Sequence, residues 1–384
     1  MNKVDSQYFE LCKDILNNGV TKDTRCGSVK SVFGRLLRFN LAEGLPILTT
    51  KKVYTKGIIH ELLWFLKGDT NIKYLVENKV YIWNGDAYRF YCEKVNKHNE
   101  ILNEYKTNKM FVIYTPIEVD SEEVFIQNVL EQKRIFLLDK PYEFDASQYN
   151  YTYGDLGPVY GKQWRGFDNK IDQINELIEK LKTNPEDRRM LCIAFNPTVL
   201  DEVALPPCHV MFQLYTRKLT DYERLQIAEQ GKYVDEKTYH ELVKEAVTIV
   251  TSTHNTTVQS QALMQKMNDL KIPQYALSLM WVQRSVDCGL GLPFNITSYA
   301  ILTHILAKLT NMVPDELICS LGDCHIYFNQ RYALMSQLQR EGYDTLPKLV
   351  IEGNQTRVED FNYEDFKIVD YLCEEPIKIP LSVG

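Results

Sequence analysis

Apolar and polar positions recur along the chain with periods that change from segment to segment. In residues 1–19, Phe9, Cys12, Ile15 and Leu16 fall on one face at helical spacing, which predicts an amphipathic helix with Asp5 as its candidate cap. Residues 31–41 alternate apolar and polar side chains, the period of a strand. Residues 57–66 are apolar on nearly all sides, which predicts a buried helix. Ile171, Ile174, Leu177, Ile178 and Leu181 predict a helix over 171–182, stopped by Thr183-Asn184-Pro185. Residues 190–195, 210–215, 276–282 and 349–352 read as strands, and 299–309 as a second buried helix.

Strands and helices mixed without βαβ repetition predict an α+β fold, a mixed β-sheet with flanking helices, and exclude a Rossmann arrangement. The pattern is interrupted at about 87–152, rich in Tyr, Asn, Lys and Glu, and at about 218–274, where charged helical pieces flank a polar segment at 251–261. Both read as insertions that embellish the surface or build an interface, within one catalytic domain spanning 1–384.

A chain of 384 residues with 45% hydrophobic side chains can bury a large core. Its net charge of -7 argues against coating a nucleic acid, so any bound anion must meet local arginines. No run of about 18 apolar residues exists to span a membrane, and residues 1–19 do not read as a signal peptide. Nine cysteines, an odd number without a CxxC pair, suggest free thiols in a reducing cytoplasm. The seven histidines lack metal-ligand spacing, and no metal is expected.

Among the cysteines, Cys208 differs in context. Pro206 and Pro207 fix the backbone that leads into its thiol, directly before a predicted strand. A cysteine beside a strand is ordinarily a small buried hydrophobe. The arginines change that reading: Arg25, Arg188, Arg189 and Arg284 are candidate ligands for a phosphate dianion, and guanidinium groups near a thiol favour the thiolate.

Longer motifs carry a resemblance. Residues 154–165 (GDLGPVYGKQWR), Pro206-Pro207-Cys208-His209, Gln283-Arg284-Ser285-Val286-Asp287 and Leu292-Pro293-Phe294-Asn295 resemble the thymidylate synthase family. So do residues 59–66 (IHELLWFL), Gly68-Asp69-Thr70-Asn71 and 322–327 (GDCHIY), so the likeness covers most of the chain outside the interruptions. It implies a homodimer with sheets packed across the interface, acting on dUMP with 5,10-methylenetetrahydrofolate, with no membrane or nucleic-acid partner. Carried over position by position, it makes Cys208 the nucleophile, Glu61 the carboxylate that orders water and moves protons, and Tyr160 and His209 supporting polar groups. Arg25, Arg284 and Ser285 become phosphate ligands, with Arg188 and Arg189 reaching across the dimer. Gln283 joins the substrate set, His325 and Tyr327 match ribose ligands, and Trp83, Asp287, Leu290 and Gly291 face the folate, Asp287 also serving catalysis. The implied chemistry is thiolate addition to C6 of the pyrimidine, which makes C5 nucleophilic.

The resemblance further implies that Asn295 selects the base, since an amide both donates to O4 and accepts from N3–H of uracil, so dUMP is the expected substrate. The product is read from departures on the folate side. Trp83 is present, but Asn84-Gly85-Asp86-Ala87-Tyr88 follows where a second tryptophan is usual. The chain ends Ile379-Pro380-Leu381-Ser382-Val383-Gly384 instead of in a short apolar tail, which suggests looser closure over the folate. The phosphate loop Thr24-Arg25-Cys26-Gly27-Ser28-Val29 is one residue short. With the insertions, these departures resemble the viral dUMP hydroxymethylases, and 5-hydroxymethyl-dUMP is the expected product. Thymidylate synthase, giving dTMP and dihydrofolate, is the alternative; an inactive structural or nucleotide-binding member of the family is a third.

Overall fold

The first apolar stripe folds as helix α1 (Lys3–Asn18), which buries Tyr8, Phe9, Cys12 and Ile15. Its cap is Asn2, whose side chain accepts from the backbone N–H groups of Val4 and Asp5. Asp5, expected to cap the helix, instead points into the core and accepts from the backbone N–H groups and both hydroxyls of Thr49 and Thr50. A buried carboxylate requires such a set of donors. The computed structural model describes residues 1–108, 114–138, 150–251 and 256–381. Parts of the two interruptions (109–113 and 139–149; 252–255 of the polar segment) and the tail residues Ser382, Val383 and Gly384 lie outside the described residues.

The hairpin β1 (Val20–Thr24) and β2 (Gly27–Asn40) follows, then α2 (Thr55–Leu66), buried on nearly every side as its composition predicts, and the short α3 (Lys73–Glu77). Next come α4 (Asn84–Thr107), α5 (Glu122–Leu130), the small hairpin β3 (Arg134–Phe136) and β4 (Asn150–Thr152), α6 (Tyr160–Gly166) and α7 (Gln173–Thr183). Strands β5 (Leu191–Ile193) and β6 (His209–Lys218) precede α8 (Asp221–Glu229), α9 (Glu236–Thr251) and α10 (Thr256–Asp269). The chain then runs through β7 (Tyr275–Asp287), α11 (Gly291–Leu309), β8 (Val313–Tyr327), α12 (Arg331–Gln337), β9 (Lys348–Ile351) and β10 (Phe366–Val369).

Six strands form the central sheet in the order β1-β2-β8-β7-β6-β5. All neighbours are antiparallel except β7 and β8, which run parallel and are joined by α11 as a crossover. Because β6 and β2 run against their neighbours, the start of β6, the ends of β7 and β8 and the start of β2 meet at one edge: His209 pairs with Gln283, Asp287 with His325, and Tyr327 with Val29. Motifs scattered over some 300 positions of sequence thereby converge on one end of the sheet. Beneath it, α11 packs against β7 and β8 and α2 packs against α11, and Trp64, Phe212 and Trp281 are fully buried. Each such side chain contributes on the order of 2–3 kcal/mol of apolar transfer.

The two interruptions differ from one another. α8, α9 and α10 enclose their own small core of Ala228, Val234, Leu242, Leu263, Met267 and Ile272. The first stretch is no surface embellishment: α4 buries Ala87, Phe90, Tyr91 and Val95 in the main core, where Tyr91 packs on Phe125, Tyr151 and Tyr153. Those apolar positions recur at helical spacing, which is why the stretch docks on the core. No described helix is long and apolar enough to cross a membrane.

Candidate active site

Cys208 sits where the two prolines deliver the chain to β6. Prolines have no N–H, so this loop is held through its carbonyl oxygens. Arg284, leaving β7 beside it, donates from Nε to the Pro207 carbonyl at 2.9 Å and from Nη2 to the Pro206 carbonyl at 2.8 Å. Its backbone N–H donates to the Cys208 carbonyl at 2.9 Å. From the other side, the backbone N–H of Cys208 donates to the Tyr160 hydroxyl at 2.7 Å, and that of His209 to the same oxygen at 3.3 Å. Tyr160 opens α6 after a turn at Gly157 (φ +74°), where an added Cβ would lie 2.0 Å from the Glu202 carbonyl oxygen, so only glycine lets the two segments meet. Burial pushes the thiol of Cys208 up, and the Arg284 guanidinium opposes that push.

Glu61 lies in the middle of α2, a carboxylate among apolar neighbours. The indole Nε1 of Trp83 donates to its Oε1 at 2.7 Å. Burial raises the carboxyl to about 7 against this one lowering hydrogen bond, so it exchanges its proton near neutral pH. Trp83 also packs edge-on against Tyr160, at 6.3 Å between ring centroids, which links the carboxylate to the thiol loop. Burial holds the Tyr160 phenol well above its ordinary value, so Tyr160 stays protonated.

On the opposite wall, Asn295 on the first turn of α11 accepts at Oδ1 from Gln283 Nε2 at 3.2 Å, while Gln283 accepts from the Trp281 indole at 3.1 Å. This chain of donors settles the orientation of the amide: its oxygen is the acceptor for Gln283 and its nitrogen is the donor. His209, lowered to about 4 by burial despite a hydrogen bond with Asn295, is a neutral imidazole between the rings of Tyr160 and Tyr299.

The expected phosphate and ribose ligands are partly gathered. Ser285, His325 and Tyr327 lie on the converging ends of β7 and β8, and the His325 and Tyr327 rings meet edge-on at 5.1 Å. The short loop is the tight turn Arg25-Cys26 between Thr24 and Gly27, with Arg25 exposed at its tip. Cys26 hydrogen-bonds with Tyr327, which brings that turn to the same end of the sheet. Arg188 and Arg189 are exposed ahead of β5 and are not drawn into this chain's own site.

Asp287 caps the entry to α11, accepting from the N–H of Gly289 at 2.8 Å and of Leu290 at 3.3 Å. Leu290 and Gly291 stand at the helix start beside it. Two residues not anticipated from sequence complete this wall. Lys51, buried and lowered to about 8 mainly by burial, donates to the Gly289 carbonyl at 2.7 Å. Gln330 donates both to Asp287 Oδ2 and to the Pro380 carbonyl, each at 3.2 Å, and Ile379 beside it is 8% exposed. Over the described part of the tail, Ile379 is buried and Gln330 ties Pro380 to Asp287. Only the adjacency of Gln330 to the 322–327 motif hinted at this.

A thiol held by an arginine, a buried carboxylate and an oriented amide are the equipment of a transferase that works through a covalent adduct on a polar ring. The chain belongs to the thymidylate synthase family, which it matches over residues 6–235 and 242–383, and is thereby a one-carbon transferase acting at C5 of dUMP with methylenetetrahydrofolate. The break in the match falls in the lobe of α8, α9 and α10. Similar proteins include the thymidylate synthase of Aster yellows witches'-broom phytoplasma, 36% identical over 377 residues, covering 98% of this chain and 99% of that protein. The thymidylate synthases of Staphylococcus haemolyticus and Mycoplasma mobile are each 35% identical, covering 100% of both chains and 98% and 99%, respectively.

Proposed function

We propose that this enzyme makes dTMP and dihydrofolate from dUMP, the reaction named for its relatives. The hydroxymethyl product expected from the sequence has no support among those relatives. The observation that carries the proposal is the strap through Gln330, which ties the C-terminal segment to Asp287 on the folate wall. A tail held against bound folate would exclude the water that a hydroxymethyl product requires.

In this reading Cys208 Sγ adds to C6 of the uracil, and the electron pair moves toward C5 and O4. Asn295 Nδ2 donates to O4, and Oδ1 accepts from N3–H. Glu61, titrating near neutrality, holds and returns the proton that O4 and its water exchange. Arg284, Ser285 and Arg25 receive the phosphate, and His325 and Tyr327 the ribose. The folate side fits a reduced pterin, whose edge is rich in N–H donors: Asp287 offers acceptors, and Asn84 Oδ1, next to Trp83, is buried without a partner among the described residues. Trp83, Leu290 and Gly291 complete that wall. Methylenetetrahydrofolate supplies the one-carbon unit and the hydride.

The subunit completes its phosphate site as a homodimer, with Arg188 and Arg189 crossing the interface. Phe33, Leu36, Leu191 and Tyr215 are apolar side chains of the central sheet left exposed in the single chain, which a partner sheet would cover.

Incubation with dUMP and methylenetetrahydrofolate, read by absorbance and nucleotide mass spectrometry, tests the product. Dihydrofolate with dTMP in equal amounts is expected; 5-hydroxymethyl-dUMP without dihydrofolate would overturn the proposal.

A further inference from the structure

The backbone of the nucleophile loop is held from two sides, and one of them is the first inserted stretch. Ala204, four residues before Cys208, donates its N–H to the Leu156 carbonyl at 2.9 Å. Its own carbonyl accepts from Arg89 Nη2 at 2.7 Å, across 115 positions of sequence. Arg89 lies on α4, two turns from Trp83, which holds Glu61. Its side chain is only 18% exposed and ion-pairs with Asp86 at 2.9 Å and with Glu93 at 2.8 Å. The pair with Glu93 is a surface contact of small worth. The pair with Asp86 is not: both partners are largely buried, and Asp86 occupies the position three after Trp83 where an aromatic wall was expected.

We propose that Arg89 is a positioning residue for Cys208, gripping the Ala204 carbonyl from α4 while neutralising Asp86, so that the inserted helix supports the nucleophile. Arg284 holds the loop at Pro206 and Pro207, and Arg89 holds it at Ala204. This rests on Cys208 being the nucleophile. The charge side of the arrangement has the same sense. The ionisable groups facing Cys208 are Arg284 and Asp287 of β7, Asp86 of α4, and the phenols of Tyr160 on α6 and Tyr327 on β8. Of these Asp86 and Asp287 oppose the thiolate, and Arg89 is the cation beside Asp86.

The test follows Cys208 alkylation by iodoacetamide as a function of pH, read by peptide mass spectrometry, alongside kcat and KM for dUMP. Arg89→Met should slow alkylation at pH 7 about three- to tenfold by moving the thiol midpoint up. It should also lower kcat about tenfold or more with KM changed less, because the loop is displaced. Asp86→Asn/Arg89→Met should restore the midpoint but not kcat, and Arg89→Lys should recover part of both. Asp86→Asn alone leaves the grip on Ala204 in place and should move the midpoint down. A folded Arg89→Met protein with wild-type midpoint and kcat, or an unmoved midpoint in Asp86→Asn, would overturn the proposal. Failure of the nucleophile reading is distinguishable: Cys208→Ser would then turn over dUMP as wild type does, whatever the alkylation of the Arg89 variants.

Discussion

The Trp83 indole and the Glu61 carboxylate, 22 residues apart, are joined by a 2.7 Å hydrogen bond inside an otherwise apolar pocket. Among the described residues it is the one hydrogen bond that offsets the burial of Glu61. Trp83→Phe keeps the ring and deletes the donor. The Glu61 limb of the kcat/KM profile should move upward from about 7, by up to roughly one pH unit. An unmoved limb would show that Glu61 does not shape the profile.

The same carboxyl links stability to pH. Its folded value of about 7 stands above the ordinary 4.5, so the folded state binds this proton more tightly than the unfolded chain. That contribution is complete below the unfolded value and is lost as pH rises through the folded one. Glu61→Gln should therefore be more stable than wild type at pH 8, by up to about 3 kcal/mol, and little different at pH 4.5. Urea denaturation at both values measures it; equal differences at the two pH values would contradict the burial argument.

Cys208→Ser should lower turnover by at least about a thousandfold while dUMP binding, measured by calorimetry, changes only a few-fold. Retained turnover would end the covalent mechanism. The same variant reports on the dimer: mixed with Arg188→Ala/Arg189→Ala, it should regain activity through hybrid dimers holding one complete site, and two inactive proteins that stay inactive would remove the shared site.

Asn295→Asp replaces the donor aimed at O4 with an acceptor. Preference should move toward dCMP, whose C4 carries an amino donor, by about 1–3 kcal/mol in relative kcat/KM. Unchanged selectivity would assign the choice of base to another group.

Asp5→Ala strands the N–H groups and hydroxyls of Thr49 and Thr50 in the core. The cost should be about 3 kcal/mol or more, read as a lower urea midpoint with an unchanged m-value. A midpoint within error of wild type would show that the donors find other partners.

Periodicity located the elements whose burial is one-sided or complete, such as α2 and α7, because a repeating environment leaves a repeating pattern. It missed β8, whose beginning Val313-Pro314-Asp315-Glu316 is polar and whose apolar positions are partly cysteines. It undervalued α4, where Ala87, Phe90, Tyr91 and Val95 keep helical spacing among many Asn, Lys and Glu.

The chemistry was legible where it depends on contiguous residues. Pro206-Pro207-Cys208-His209 and the asparagine after Pro293-Phe294 identify a thiol and an amide wherever the chain folds, because those motifs carry their own backbone and functional groups. What the tertiary structure decided is everything that depends on pairing between distant segments: Trp83 on Glu61, Arg284 and Arg89 on the loop before Cys208, and Gln330 between Asp287 and Pro380. A hydrogen bond is fixed by the positions of two atoms, and those positions are set by strand register and helix docking, which no local spacing records.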